Sequence, residues 1–177
     1  SIATTAFVEA AVRRLETNWV AEQTIAQFSA IEFQPEVSNP ATFGKRNGIG
    51  VMTYSPSVQQ QACVVFPVPY GYTNTTMKVI LHWCSSATSG NARWGAQFDK
   101  LTGVDIDSLS FATAVEATTA TTGTAGLIST TTLDSVGLDS AAMGNFVALR
   151  VYRDTGDAAD NMDSNTLELI GVEVRAK

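Results

Sequence analysis

Met77-Lys78-Val79-Ile80-Leu81-His82-Trp83 and, a short break later, Arg93-Trp94-Gly95-Ala96-Gln97-Phe98-Asp99 are the stretches on which the fold turns. In the first, Met77, Val79, Leu81 and Trp83 alternate with Lys78, Ile80 and His82. In the second, Trp94, Ala96 and Phe98 alternate with Arg93, Gly95, Gln97 and Asp99. A period of two sends successive side chains to opposite faces of a strand, so each stretch predicts a strand with one apolar face. The residues between them, 85–91, are rich in Ser and Gly and predict a loop.

The same signature spreads toward the C-terminus. Strands are expected over 111–117, 127–133, 146–152 and 167–174, with a Thr/Gly-rich loop over 118–126. In the last strand Leu167 and Leu169 fall out of phase with Val172 and Val174, and a bulge at Gly171 restores the phase, because one extra residue flips the facing. Toward the N-terminus, 62–68 is an apolar run ending in Pro67 and Pro69, which suits an edge strand or a strand exit. Residues 70–74 form a turn, and 50–54 a brief strand. Ile31-Glu32-Phe33 alternates as a short strand does, but the rest of 20–60 is broken by Pro35, Pro40, Gly44, Asn47-Gly48 and Gly50 and reads as turn-rich. Only 5–19 is helical in pattern, with Val8, Val12, Leu15 and Trp19 on one face and Thr4 or Thr5 as a cap. About eight strands with turns every 8–15 residues predict a mainly β, antiparallel, jelly-roll-like β-sandwich over 28–177, preceded by a short N-terminal α-helix or anchoring arm over 1–27.

Composition narrows the partners. The 177 residues carry a net charge of −6 and only 16% charged residues, with Thr, Ser and Ala in their place. Residues 1–98 hold five acids and six bases, residues 99–177 twelve acids and five bases. Without clustered Lys and Arg, neither nucleic acid nor an anionic membrane is an expected partner. Lys45-Arg46 is an isolated basic spot on a loop, expected to be solvated. No run approaches the ~20 apolar residues of a membrane span. Glu9, Arg13, Arg14 and Glu16 interrupt any secretory signal, so synthesis in a cytoplasm is expected.

Chemistry is sparse. His82 is the one histidine, so any Ser-His-Asp or Cys-His site must use it. Cys84, two residues on, shares its face, which leaves a Cys-His dyad conceivable; a strand histidine held by a hydrogen bond or facing solvent is the expectation. Cys63 and Cys84 are both expected in strands as free, buried thiols rather than a disulfide. One His and two Cys fall short of a zinc set. Asp154, Asp157, Asp160 and Asp163 recur every three residues between two strands, and Asp105, Asp107, Asp134 and Asp139 add carboxylates. Loop carboxylates can hold Ca²⁺, but the spacing lacks the EF-hand pattern, and a solvated acidic turn is expected. The acids single out no glycosidase pair. Gly48-Ile49-Gly50 lacks the phosphate-loop context. Asn74-Thr75-Thr76 is a sequon by chance, and Trp83 and Trp94 are expected in the core. No catalytic, cofactor-binding or metal residue is assigned, and an enzyme is not expected.

Asn47-Gly48, Thr53-Tyr54-Ser55-Pro56, Val65-Phe66-Pro67, Met77 to Trp83, Ser86-Ala87-Thr88-Ser89-Gly90-Asn91-Ala92-Arg93-Trp94, Leu149-Arg150-Val151-Tyr152-Arg153-Asp154 and Asp157-Ala158-Ala159-Asp160 together resemble a group of tailed-bacteriophage virion structural proteins. The resemblance covers roughly 28–177. It implies a jelly-roll sandwich without assigned activity, used as a capsid cement or decoration subunit, a head fibre or a tail receptor-binding module, frequently as a trimer. It carries over no functional residue. The expectation is therefore a structural subunit of a virion assembled in the host cytoplasm, in contact with other copies of itself as a homotrimer and with virion proteins such as the major capsid protein. The alternative is a tail-fibre or receptor-binding module that recognises a host-surface glycan through loops 85–91, 118–126 and 153–165.

Overall fold

The computed structural model describes residues 20–162 and 164–177, so the helix expected over 5–19 and the carboxylate of Asp163 lie outside the described residues. Eleven strands follow in chain order: β1 (Thr24–Ser29), β2 (Gln34–Pro35), β3 (Thr42–Arg46), β4 (Ile49–Tyr54), β5 (Gln61–Pro67), β6 (Thr76–Ser85), β7 (Asn91–Lys100), β8 (Val115–Ala120), β9 (Ser129–Gly137), β10 (Phe146–Arg153) and β11 (Leu167–Ala176). They form two antiparallel sheets. The first has the order β3-β4-β11-β6-β9, with β1 also on β11; the second has the order β2-β5-β10-β7-β8. The mainly β jelly-roll sandwich is thus as the sequence predicts. No described helix is long and apolar enough to cross a membrane.

The two stretches that decide the fold face one another across the core. Trp83 on β6 and Trp94 on β7 are both fully buried, with ring centroids 6.2 Å apart. Tyr54 meets the Trp94 ring edge-on at 4.9 Å, and Phe66 meets Phe98 at 6.0 Å. Edge-to-face contact suits the ring quadrupoles, and the Tyr54–Trp94 pair makes it from one sheet to the other. The Trp83 indole N–H donates to the Thr131 hydroxyl at 2.9 Å, which satisfies a donor that would otherwise be buried unpaired.

The bulge in β11 falls where the broken phase puts it. Pairing with β6 shifts between Leu169 and Gly171, so Leu167, Leu169, Val172 and Val174 all point inward. Gly171 is required there for a second reason: a Cβ on it would sit 2.9 Å from the Phe28 carbonyl oxygen of β1.

Several expectations need correction. Ala30–Glu32 is a 3₁₀ turn rather than a strand, because the Glu32 carboxylate accepts the Ser29 amide at 2.7 Å and the Ser29 hydroxyl at 2.9 Å, a local bond that competes with strand pairing. The turn-rich reading of 20–60 misses β1, β2 and β3. β1 straddles the expected boundary at residue 28 and pairs with β11 along its length. The strand expected over 111–117 begins only at Val115, since the chain before it is drawn across the outer face of the second sheet. The loop expected over 118–126 begins after Ala120.

Candidate functional site

The outer face of the second sheet carries an open recess. Its floor is Cys63 on β5 and Arg150 on β10. One wall is the chain from Gln34 to Ser38, at and beyond the edge strand β2; the other is Ile106, Asp107 and Leu109 from the β7–β8 connection. The groove has a volume of about 380 Å³, at the low end of small-ligand sites. β2 is only two residues long and pairs with Ala62 and Cys63 alone; of β5, Cys63 lines the groove.

The floor is a closed polar network. Arg150 donates through Nε and Nη2 to the two Glu36 oxygens, at 2.6 and 2.8 Å. This is the forked geometry in which guanidinium and carboxylate bind most strongly. The Cys63 thiol donates to the same carboxylate at 2.7 Å. Burial, and then the hydrogen bond and charge of Glu36, push this thiol well above its ordinary range, which disfavours the nucleophilic thiolate. The face of the Arg150 guanidinium lies 3.5 Å from the centroid of Phe111.

The β7–β8 connection is fastened to the sheet. Asp99 accepts the Ser110 amide at 2.6 Å, Gln97 donates to the Ala112 carbonyl at 2.8 Å, and the Thr102 hydroxyl accepts the Phe146 amide at 2.8 Å. Burial, opposed by the Ser110 hydrogen bond, raises the Asp99 carboxyl. Above this fastened base Ile106 is 70% exposed, and Val37 opposite is fully exposed.

A second Arg-carboxylate-thiol set lies on the other face of the sandwich. Arg46 is paired with Glu168, and the Cys84 thiol donates to Glu168 at 3.4 Å. Arg46 is therefore not the solvated basic spot expected. Burial, then Glu168, lifts the Cys84 thiol to about 11. The recess here is about 160 Å³, lined by Ile49, Val51, Ile128 and Ile170 with Arg46. His82 lies 3.4 Å from the Thr130 hydroxyl through Nδ1, so His82 and Cys84 each engage a different partner and form no dyad. Both cysteines are free thiols on strands, as expected, but only Cys84 is buried and Cys63 is part-exposed.

The acidic turn is solvated only in part: the Asp157 side chain keeps 40% of its surface exposed and that of Asp160 only 1%. Asp160 is buried and takes Arg153 through two hydrogen bonds of 2.8 and 2.7 Å, while Arg153 also donates to the carbonyls of Met162, Asn165 and Ser55. Asp154 and Asp157 lie 3.4 and 3.3 Å from Arg93 Nε, and Glu116 takes Arg93 Nη2 at 2.7 Å. Two arginines thus occupy the place a cation would take. Among the described residues no three His, Cys, Asp or Glu side chains are arranged to hold a metal.

Loops 85–91, 118–126 and 153–165 do come together at one end of the sandwich. The Thr121 amide donates to Gly90 at 3.0 Å, Gly126 to Ser85 at 2.8 Å, and Asn161 to Asn91 at 3.1 Å. These backbone bonds fasten the loops to one another, while Ser86, Thr88, Ser89, Thr122 and Thr124 stay exposed; the groove is lined instead by residues of 34–38 and 106–109.

No family model matches the chain, and no curated protein matches it. Solved structures do. The CBM36-1 domain of a multidomain xylanase from the hindgut metagenome of Trinervitermes trinervoides is similar with a TM-score of 0.51 at 11% identity, over 86% of this chain and 97% of that one. The CBM22-2 xylan-binding domain from Paenibacillus barcinonensis Xyn10C gives 0.52 at 10% identity, over 86% and 99%. The C-terminal CBM6 of the marine laminarinase LamC from Zobellia galactanivorans gives 0.52 at 11% identity, over 85% and 98%. At such identities the likeness is one of fold.

Proposed function

We propose that this domain is a non-catalytic glycan-binding module, and that the groove on the outer face of the second sheet is its binding site. The observation that carries the reading is the pairing of a hydrogen-bonding floor, Glu36 with Arg150, with exposed apolar walls at Val37, Ile106 and Leu109. A sugar ring has the matching chemistry: hydroxyls that both donate and accept, and an apolar C–H face. The fold lends support, since the three similar structures are named as modules or domains of this carbohydrate-binding kind. Catalysis finds no support in the groove, whose thiol is pushed up by burial and whose floor carboxylate, Glu36, is committed to Arg150, leaving Asp107 without a second carboxylate to pair with. In the tailed-phage setting that the sequence resembles, such a module would recognise the host surface.

The test is a glycan array probed with the wild-type domain and with Ile106→Asp, a change at an exposed position that leaves the floor intact. Selective binding by the wild type, lost in the variant, supports the reading; silence across the array removes it.

A second reading, a capsid cement subunit held by protein contacts, is favoured by one observation. Ile49, Leu127 and Ile128 are each at least half exposed, and Ile49 and Ile128 line the same recess on the first sheet. Particles assembled without the domain would then form but lose resistance to heat or low salt.

A further inference from the structure

Resting on the glycan-binding reading of the groove, we infer that it selects uncharged sugars and rejects carboxylated ones. Among the described residues Arg150 is the only Lys or Arg that lines the groove, and it shares that lining with the carboxylates of Glu36 and Asp107 and the Cys63 thiol. The guanidinium is already committed: two of its N–H groups hold the Glu36 carboxylate, and one of its faces lies on Phe111. Asp99, buried on the same outer face, adds a further carboxyl at the base of the β7–β8 connection. A uronate or sialate carboxylate brought to this floor therefore finds no free cation to replace its water. It meets Glu36 across the guanidinium and Asp107 beside it, and like charges in a half-desolvated site are the usual means of excluding a wrong partner.

A neutral sugar meets no such opposition. One hydroxyl can accept from the remaining N–H groups of Arg150 and donate to an oxygen of Glu36 or Asp107, so the ion pair serves as a joint donor and acceptor without being broken. The C–H face of the ring then lies on Val37, Ile106 or Leu109.

The experiment is titration calorimetry of the full chain with matched pairs of neutral and carboxylated oligosaccharides, gluco- against glucurono- and galacto- against galacturono-oligomers, at low and high salt. The expected result is that the carboxylated member binds about tenfold or more weaker than its neutral counterpart. The gap narrows as salt screens the carboxylates. Glu36→Gln, with folding checked by its melting transition, is expected to narrow the gap at low salt. A carboxylated sugar bound as tightly as its neutral counterpart overturns the charge inference and leaves the binding reading in place. No binding by either member of any pair, together with a silent array, removes the binding reading and the inference with it.

Discussion

Replacing Arg153 by Met removes the one fully buried guanidinium of the described chain while keeping most of its volume. Five hydrogen bonds go with it: two to Asp160 and one each to the carbonyls of Met162, Asn165 and Ser55. The Asp160 carboxylate stays buried, with only the Arg93 amide at 3.1 Å and the Met162 amide at 3.4 Å to receive its charge. Breaking a buried pair on one side costs about 3–5 kcal/mol, because the remaining charge is uncompensated. A domain of this size has about 5–15 kcal/mol to lose, so the variant should be severely weakened. Urea unfolding followed by the fluorescence of the buried Trp83 and Trp94 reads the loss as a lower midpoint at unchanged slope. Arg153→Met with Asp160→Leu should recover part of the loss, since no lone charge is left behind. A loss under about 1 kcal/mol in the single variant, or a double variant no better than the single, would refute the view that this pair fastens the 154–166 turn to the sandwich.

Three further outcomes follow from the same geometry. Glu173 is held down to about 2, first by its hydrogen bond from Arg175 and then by the Thr24 hydroxyl, so its carboxylate stabilises the fold above the ordinary value of 4.5 and that stability is lost as pH falls from there toward 2. Glu173→Gln should thus lower stability at neutral pH by about 2 kcal/mol, allowing for the part-exposed Arg175, and flatten the acid limb of a melting-temperature profile. With the Cys84 thiol at about 11 and Cys63 also raised, both should react with iodoacetamide near pH 8 about a hundredfold more slowly in the native protein than in urea. Added Ca²⁺ or EDTA should leave the melting temperature unchanged, because Asp154, Asp157 and Asp160 are already neutralised by Arg93 and Arg153.

What the sequence made legible is what local period encodes. The alternation of Met77 to Trp83 and of Trp94 to Phe98 identifies two central strands and the residues that meet between them. The phase break at Gly171 identifies a bulge. β1 and β3 escaped because they lie toward the margins of the first sheet, where neither face is cleanly buried and alternation fades. The acidic turn misled for another reason. Its carboxylates look free in sequence, but Arg93 arrives from β7, distant in the chain, and Arg153, only seven residues from Asp160, is aimed back at it by its place at the end of β10. The groove was illegible on the same ground: Glu36, Cys63, Asp107 and Arg150 lie far apart in the chain, and their convergence is a product of strand order β2-β5-β10-β7. A hint was present in Val37 and Ile106, apolar residues in segments otherwise read as turn and loop.

Amide chemical shifts, recorded while an array-positive oligosaccharide is added to the labelled domain, locate the contact surface residue by residue. Changes centred on Glu36, Val37, Cys63, Ile106, Leu109 and Arg150 are the predicted result. Changes confined to 86–90, 121–126 and 154–162 at the loop end, with the outer face of the second sheet silent, would contradict it.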